Sequence, residues 1–280
     1  LKTISKSSQS RAGALLHALR WLALALLIVA LARPQKTQTE TSVRASGVDI
    51  VIALDLSGSM ESEDFEIDRK RVNRLVVAKD TIAKFIERRP NDRIGLVAFA
   101  GKPYIAAPLT LDHGFLRANL DRLELHTIED GTAIGAGLSA AVNRLRDVRS
   151  KSKIVILMTD GQNNAGKIPP LTAAEAAKAL DMKVYTIGVG IRGQAPFPQQ
   201  TPFGKRYVMT NVDIDEPTLT AIAEKTGGKY FRADSTDTLR KIYDEIDQFE
   251  KTEAVVKKFV RRDELFHWFA VPGLLLLIIE

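Results

Sequence analysis

The stretches VIALDLSGS (residues 51–59) and IVILMTDG (residues 154–161) each carry an apolar run that ends in an acidic turn. Continuous aliphatic runs are typical of strands buried on both faces, as in parallel sheets. Ligands bind just outside the carboxyl ends of such strands. The two turns therefore predict one shared site of carboxylate and hydroxyl oxygens, which suits a hard divalent cation. Its residues are Asp55, Ser57, Ser59 and Asp160.

Strand and helix patterns alternate through the middle of the chain. Apolar residues recur at helical spacing in 71–88, and strand-like apolar runs follow at 93–100 and 183–189. A turn signal at 101–103 predicts that 104–109 returns as a hairpin strand. Such alternation indicates crossover connections between parallel strands. We therefore predict an α/β domain with a doubly wound, mainly parallel, Rossmann-like sheet. Apolar segments near both ends of the sequence predict flanking transmembrane helices.

The composition excludes several kinds of chemistry. The 280 residues contain no cysteine, which rules out disulfides, thiolate metal sites and cysteine nucleophiles. The formal net charge is +6, and much of it gathers beside apolar stretches near both ends of the sequence. That distribution is typical of membrane flanks rather than of a nucleic-acid-binding face. We therefore expect no nucleic-acid partner.

Two apolar segments predict membrane anchoring. Residues 14–33 are almost wholly apolar apart from His17, Arg20 and the terminal Arg33, and about 20 residues are needed to span hydrocarbon. Residues 266–280 predict the start of a second spanning helix. A buried core helix and a cleaved signal peptide are the alternatives, because residues 30–32 imitate a small-residue cleavage site.

These patterns divide the sequence into six parts. They are a juxtamembrane flank (1–13), a transmembrane helix (14–33), a linker (34–47), the α/β domain (48–250), a second linker (251–265) and the start of a second transmembrane helix (266–280). Two spans place the whole domain on one side of the membrane. Basic residues lie on both sides of the first span, so charge alone does not choose that side.

A third loop supplies another hydroxyl. Thr132 directly precedes a predicted helix that begins with small residues at 133–137. We expect its hydroxyl both to cap this helix and to bind the same cation. The two glycines in 133–137 predict that the helix packs closely against its neighbours. Each loop alone is more often an ordinary turn, since Asp, Ser and Gly populate turns for local reasons. Together the three loops favour a site for Mg²⁺, Mn²⁺ or Ca²⁺. The predicted ligands are Asp55, Ser57, Ser59, Thr132 and Asp160.

The roles of two further segments stay open, and the first of them lies beside the predicted metal loop. The acidic run at 61–64 predicts either a solvated surface turn or a set of carboxylates that influences the choice of cation. The insertion at 191–213 is rich in proline and glycine, and no pattern in it indicates a function.

In this order on an alternating α/β domain, Asp55-x-Ser57-x-Ser59, Thr132 and Asp160 resemble the metal-ion-dependent adhesion site of von Willebrand factor A domains. The resemblance covers roughly residues 48–250. It implies that the three hydroxyls touch the cation directly, while the two aspartates act mainly through waters. It also implies that an acidic residue of a protein partner completes the coordination, which is recognition rather than catalysis.

Four further motifs point to one branch of this family. The stretches ARP (32–34), RPNDRIG (89–95), DGTAIG (130–135) and YTIGVG (185–190) are similar to the BatA branch of membrane-anchored von Willebrand A proteins. That branch implies a non-enzymatic scaffold or adaptor that works with other Bat-type membrane proteins and a MoxR-type AAA+ ATPase. It also implies the inner membrane of a bacterial cell, with the domain on the periplasmic side.

Two other functions stay open from the residues themselves. A metal-dependent phosphohydrolase would use Asp55 as its nucleophile, because aspartyl chemistry also places a carboxylate at a strand end beside magnesium. A structural anchor with a non-functional metal loop would need no ligand at all. The pattern Gly188-x-Gly190-x-x-Gly193 imitates a dinucleotide fingerprint, but prolines follow it where a helix must begin. We therefore predict no nucleotide cofactor. Because the resemblance implies recognition rather than catalysis, we also predict no catalytic residue.

Overall fold

The structure is a computed structural model that describes residues 11–44, 47–150, 152–202, 204–250 and 255–279. The chain divides into two compact units. The smaller unit combines Leu1–Arg44 with Ala254–Glu280, and the larger unit is Ala45–Glu253.

The described elements alternate along the chain as the sequence predicts. The helices are α1 (Arg11–Leu31), α2 (Arg74–Glu87), α3 (His113–Asp121), α4 (Ile134–Leu145), α5 (Pro170–Ala179), α6 (Glu216–Thr226), α7 (Thr236–Phe249) and α8 (His267–Ile279). The strands are β1 (Gln35–Arg44), β2 (Asp49–Asp55), β3 (Phe65–Ile67), β4 (Lys70–Val72), β5 (Arg93–Phe99), β6 (Pro103–Thr110), β7 (Lys153–Thr159), β8 (Lys183–Val189), β9 (Gln194–Thr201), β10 (Gly204–Asn211), β11 (Tyr230–Ala233) and β12 (Val255–Glu264). A short 3₁₀ helix covers Gly58–Glu61.

The smaller unit consists of two helices and a two-stranded ribbon. Strands β1 and β12 pair antiparallel over their whole length, so the segments predicted as linkers contain paired strands. Helix α1 packs against α8, where Gly273 lies so close that a Cβ there would be 3.1 Å from Cγ of Leu27.

Helices occur at both segments for which the sequence predicts membrane spans. Helix α1 covers most of residues 14–33, and α8 covers most of 266–280. Among the described residues, no helix combines the length and the apolar character needed to cross a bilayer. The two spans therefore stay a prediction.

The larger unit is built on a six-stranded sheet with the order β11-β8-β7-β2-β5-β6. Five of its strands run parallel, and β6 alone is antiparallel, paired with β5. Strand β6 is the hairpin strand that the turn at 101–103 predicts. The predicted α/β fold with a mainly parallel sheet is confirmed.

Helices cover both faces of this sheet. Side chains alternate along a strand, so neighbouring residues of β2 enter different cores. Ile50 and Ile52 pack in an apolar cluster with α2, α3 and α7. Val51 and Ala53 pack in a second cluster with α4, α5 and α6. With both faces covered, the ends of the strands are the part of the sheet that is left to bind ligands.

The insertion at 191–213 forms a hairpin of strands β9 and β10, which the sequence does not predict. The prolines argue against strands at the level of sequence, because proline lacks the N–H that donates to a neighbouring strand. The carbonyl of Pro196 accepts the backbone N–H of Glu63 at 2.9 Å. A residue's nitrogen and carbonyl point to the same side of a strand, so the nitrogens of Pro196 and Pro198 face away from β10. No ladder hydrogen bond is lost at either position.

Two glycines let helix α4 approach its neighbours closely, which confirms the packing that the small residues at 133–137 predict. A Cβ at Gly137 would lie 2.6 Å from Cγ of Phe99. A Cβ at Gly135 would lie 2.0 Å from the carbonyl oxygen of Ile168. Both distances are far inside normal contact, so any larger side chain displaces a neighbour.

We expect Gly137→Ala to lower the free energy of unfolding by about 1–3 kcal/mol, because the added methyl overpacks the contact with Phe99. The matched control is Gly114→Ala in α3, where a Cβ meets only a carboxylate oxygen of Asp112 at 3.4 Å. Alanine favours that helix by up to about 1 kcal/mol. Urea denaturation of both variants measures the difference, and equal midpoints would contradict the close packing of α4.

Candidate metal centre

The first loop of the site begins where β2 ends. Asp55 is the last residue of β2 and is fully buried. Its Oδ1 accepts the backbone N–H of Ser57 at 2.8 Å, which turns the chain directly after the strand. The hydroxyls of Ser57 and Ser59 lie 3.0 Å apart, so these alternate residues of the turn face the same side.

The second loop comes from β7, the parallel neighbour of β2. The register pairs Leu54 with Met158, so Asp55 and Thr159 follow at the same level. The Thr159 hydroxyl donates to Oδ2 of Asp55 at 2.5 Å. The Ser59 hydroxyl donates to Oδ1 of Asp160 at 2.6 Å. Parallel pairing therefore joins two loops that lie 101 residues apart in the sequence.

The third loop carries Thr132, whose side chain is buried. The next residue, Ala133, donates its backbone N–H to the carbonyl of Ala100 at 2.8 Å, which attaches this loop to the end of β5. A Cβ built at Gly161 would lie 3.3 Å from Oγ1 of Thr132 and 3.9 Å from Oγ of Ser59. The hydroxyls of Thr132 and Ser59 therefore flank Gly161, and the three loops converge.

The prediction that Thr132 caps α4 is wrong. The N-cap residue is Ala133, whose side chain makes no cap hydrogen bond. Asn163 takes over part of this role, because its Oδ1 accepts the backbone N–H of Gly135 at 3.3 Å. Asn164 accepts the backbone N–H of Thr132 at 2.7 Å. The Thr132 hydroxyl is therefore not used as a helix cap.

The structure places all five predicted ligands at the carboxyl end of the sheet. Ser57, Ser59 and Asp160 form a continuous chain of hydrogen bonds. Asp55 is linked to this chain through the backbone of Ser57, and Thr132 approaches it beside Gly161. Their role as metal ligands stays a prediction.

A buried arginine that no sequence pattern indicates holds Asp160 in place. Arg74 begins α2 and is only 1% exposed. Its Nη1 donates to Oδ2 of Asp160 at 2.7 Å. Its Nε and Nη2 donate to the two oxygens of Asp64 at 2.9 and 2.6 Å. Gly190 leaves room for the guanidinium, because a Cβ there would lie 2.8 Å from Nη2.

This network corrects the interpretation of the acidic run at 61–64 as a solvated turn. The side chain of Asp64 is fully buried against Arg74. Glu63 is engaged by Lys205 and by the hydroxyl of Tyr207. The sequence does not distinguish these residues from surface carboxylates, since their partners lie far along the chain.

Burial makes the charges of the site unfavourable unless they are compensated. The guanidinium of Arg74 pairs with the carboxylates of Asp160 and Asp64, whereas the buried Asp55 accepts only hydrogen bonds from Ser57 and Thr159. Burial, and after it the nearby charge of Asp160, raises the pKa of Asp55 to about 7. Burial also raises the pKa of Asp160, although the Arg74 charge opposes this. A bound cation would compensate the excess negative charge.

The donor set fits a small hard cation. Magnesium prefers oxygen ligands, commonly one or two carboxylates together with waters. Among the residues that the structure describes, no group of three or more His, Asp and Glu side chains is arranged to hold a metal. The candidate site combines two kinds of oxygen. Uncharged hydroxyls come from Ser57, Ser59 and Thr132, and charged carboxylates come from Asp55 and Asp160.

A cavity of about 330 Å³ opens at the site. Ser59, Thr132 and Asp160 line it from the metal loops. Phe197 of β9 and Thr210 of β10 line it from the hairpin. The insertion without a predicted function is therefore a neighbour of the candidate metal centre.

The fold and the site define a class of protein, an α/β domain that presents carboxylates and hydroxyls from three loops at the carboxyl edge of its sheet. Residues 49–245 match the model of the von Willebrand factor type A domain. The chain belongs to this family.

Two bacterial proteins illustrate the similarity in sequence. An uncharacterized protein of Borreliella burgdorferi is 30% identical over 260 residues, which cover 92% of this chain and 75% of that protein. A UPF0353 protein of Mycolicibacterium paratuberculosis is 29% identical over 237 residues, which cover 79% of this chain and 64% of that protein.

Two similar crystal structures are Bat-type or membrane proteins. The conserved hypothetical protein BatB from Bacteroides thetaiotaomicron is 29% identical with a TM-score of 0.60, covering 74% of this chain and 100% of that one. An aerotolerance-related membrane protein from Bacteroides fragilis is 29% identical with a TM-score of 0.57, covering 71% and 98%. The resemblance to Bat-type von Willebrand A proteins is confirmed.

Removal of the Arg74 guanidinium leaves the carboxylates of Asp160 and Asp64 buried without a counter-charge. We expect Arg74→Leu to lower the free energy of unfolding by about 3–5 kcal/mol. The control is Lys225→Ala, which removes only a solvent-exposed pair with Glu175 and costs less than about 1 kcal/mol. Urea denaturation measures both, and similar losses in the two variants would contradict the buried network.

Proposed function

We propose that this chain is a membrane-anchored scaffold or adaptor that binds a protein partner through a divalent cation. The convergence of Asp55, Ser59 and Asp160 at one end of the sheet carries this proposal. Hydroxyl ligands are uncharged, so a cation held largely by them keeps positive charge to share. An acidic side chain of a partner then completes its coordination.

The residues of the site divide into two groups. In this proposal Ser57, Ser59 and Thr132 touch the cation, and the two aspartates act through water. Thr159 and Arg74 hold those aspartates by hydrogen bonds at 2.5 and 2.7 Å. Such supporting contacts orient metal ligands before the ion binds and reduce the rotamer entropy that binding would cost.

The buried state of Asp55 disfavours the alternative of a phosphohydrolase. Both of its carboxylate oxygens already accept hydrogen bonds, from the backbone of Ser57 and from the hydroxyl of Thr159. A nucleophile needs an accessible oxygen that reaches the reacting phosphorus. We therefore propose recognition without catalysis.

Membrane anchoring is proposed from the smaller unit. Trp21 and Leu31 of α1 are 71% and 88% exposed, and Trp268 and Ile278 of α8 are 71% and 78% exposed. Large apolar side chains exposed together are unfavourable in water, and a bilayer would cover them. The similarity to an aerotolerance-related membrane protein supports this proposal.

The proposed partners follow from the Bat-type family. We propose that the chain works with other Bat-type membrane proteins and a MoxR-type AAA+ ATPase at the bacterial inner membrane, with the domain on the periplasmic side. The BatA-like motifs at 32–34, 89–95, 130–135 and 185–190 support this assignment, as does the similarity to BatB.

Titration with a cation tests the metal-dependent function. We expect isothermal titration of the full chain in nonionic detergent to show one Mg²⁺ or Mn²⁺ site. The same ions raise Tm, since a ligand of the folded state alone stabilises that state. Asp55→Ala and Ser57→Ala lose both effects. Thr127→Ala, which removes an exposed hydroxyl that donates to the carbonyl of Glu124, retains them.

The competing functions give different results in the same samples. Absence of heat, with a Tm that neither the cation nor a chelator changes, would favour the structural anchor. Metal-dependent hydrolysis of p-nitrophenyl phosphate that Asp55→Ala abolishes would favour the phosphohydrolase.

A single introduced thiol tests the side of the membrane, because the chain contains no cysteine. Arg149→Cys places it at an exposed position of the larger unit. For a periplasmic domain we expect labelling by a membrane-impermeant maleimide once the outer membrane alone is permeabilised. Labelling that requires lysis of the inner membrane would contradict the periplasmic side.

A further inference from the structure

The β9–β10 hairpin is held against the turn that follows the first metal loop. Glu63 in that turn donates its backbone N–H to the carbonyl of Pro196. Its carboxylate accepts from the Tyr207 hydroxyl at 2.7 Å and from the ammonium of Lys205. These contacts involve one edge and one face of the hairpin.

The base of the hairpin is tied to the residues that hold Asp160. The backbone N–H of Ile191 donates to Oδ2 of Asp64 at 3.2 Å. The same Asp64 carboxylate binds Arg74, which in turn binds Asp160. The hairpin is therefore anchored to the metal centre and not only adjacent to it.

The other face of the hairpin is directed toward the cavity at the metal centre. The register pairs Phe197 with Val208 and Ala195 with Thr210, and paired residues share a face of a sheet. Phe197 and Thr210 line the cavity, so Val208 lies on the same face, and it is 39% exposed. Met209 is 56% exposed and, by alternation, lies on the opposite face with Tyr207.

Along β10 the residues on the cavity face change from polar to apolar and then to basic. Residues on one face of a strand are about 7 Å apart, because the rise is about 3.3 Å per residue. Thr210 borders the cavity at the metal centre, apolar Val208 is the next residue on this face, and the exposed Arg206 follows. Between Gln194 and Asn211 the sequence has two basic residues and no acidic one.

We propose that this face, formed by Phe197, Val208 and Arg206, is the specificity surface of the metal centre, and that it recognises an extended acidic segment of a protein partner. The inference rests on the proposed function, in which a partner's acid reaches the cation. In an extended partner segment, alternate side chains that point to one side are also about 7 Å apart. A residue two positions from the metal-bound acid therefore lies against Phe197 and Val208, and a residue four positions away lies near Arg206.

The partner segment consequently has an acid, an apolar residue and a second acid at alternate positions. The apolar contact buries the exposed Val208 side chain, and the second acid pairs with Arg206. Lys205 on the opposite face is paired with Glu63, so the charge on this face comes from Arg206, which favours an acidic segment and repels a basic one. Recognition would thus require the side chains beside the acid as well as the acid itself.

Selection from a displayed library of random nonapeptides tests this surface. The full chain in nonionic detergent is used as bait with Mg²⁺, and bound peptides are eluted with EDTA. We expect the eluted peptides to share an acid with an apolar residue two positions away. Val208→Ser should weaken their Kd about tenfold or more, as truncation of a central contact does. Met209→Ser, the neighbouring residue on the opposite face, should leave the Kd within about twofold.

Mg²⁺ affinity of both variants is measured in parallel and should equal that of the parent chain. If EDTA-eluted peptides bind Val208→Ser and Met209→Ser equally, or lack the spacing, the hairpin surface is overturned while the metal-dependent function stands. If the parent chain binds Mg²⁺ but yields no EDTA-eluted peptide, this inference is also overturned. Self-association that Val208→Ser abolishes would assign the face to a second copy of the chain instead. Failure to bind Mg²⁺ at all counts against the proposed function itself.

Discussion

The parallel pairing of β2 with β7 is the constraint on which the site depends. Their register places Asp55 and Thr159 at the same level, so the loops that follow the two strands meet. The hydrogen bonds from Thr159 to Asp55 and from Ser59 to Asp160 are direct consequences. A shift of either strand by one residue would turn these side chains to the other face of the sheet and remove the site.

Buried charge is the second feature that defines the molecule. Arg74 compensates Asp160 and Asp64 from within the protein, whereas Asp55 has only hydrogen bonds around it. The supporting hydrogen bonds order these carboxylates within the protein itself. Side chains that are ordered in advance lower the entropy cost of any ligand that uses them.

Family membership accounts for part of the architecture around the cavity, and the β9–β10 hairpin accounts for the rest. Membership of the von Willebrand factor type A family and similarity to BatB account for the sheet and for the three loops. The hairpin at β9–β10 adds a wall to the cavity, with Phe197 and Thr210 facing it. The cavity is therefore formed by the loops of the candidate site and the hairpin together.

The sequence by itself determined the α/β class, the parallel core strands and the five residues of the candidate site. These features depend on local patterns, because apolar runs and the turns that follow them are visible in short windows. Tertiary structure alone decided that Arg74 binds Asp160 and Asp64, and that Asn163 rather than Thr132 binds at the start of α4. It also decided that a proline-rich insertion becomes a hairpin beside the candidate metal centre. Those outcomes depend on contacts between distant segments, which local patterns do not encode.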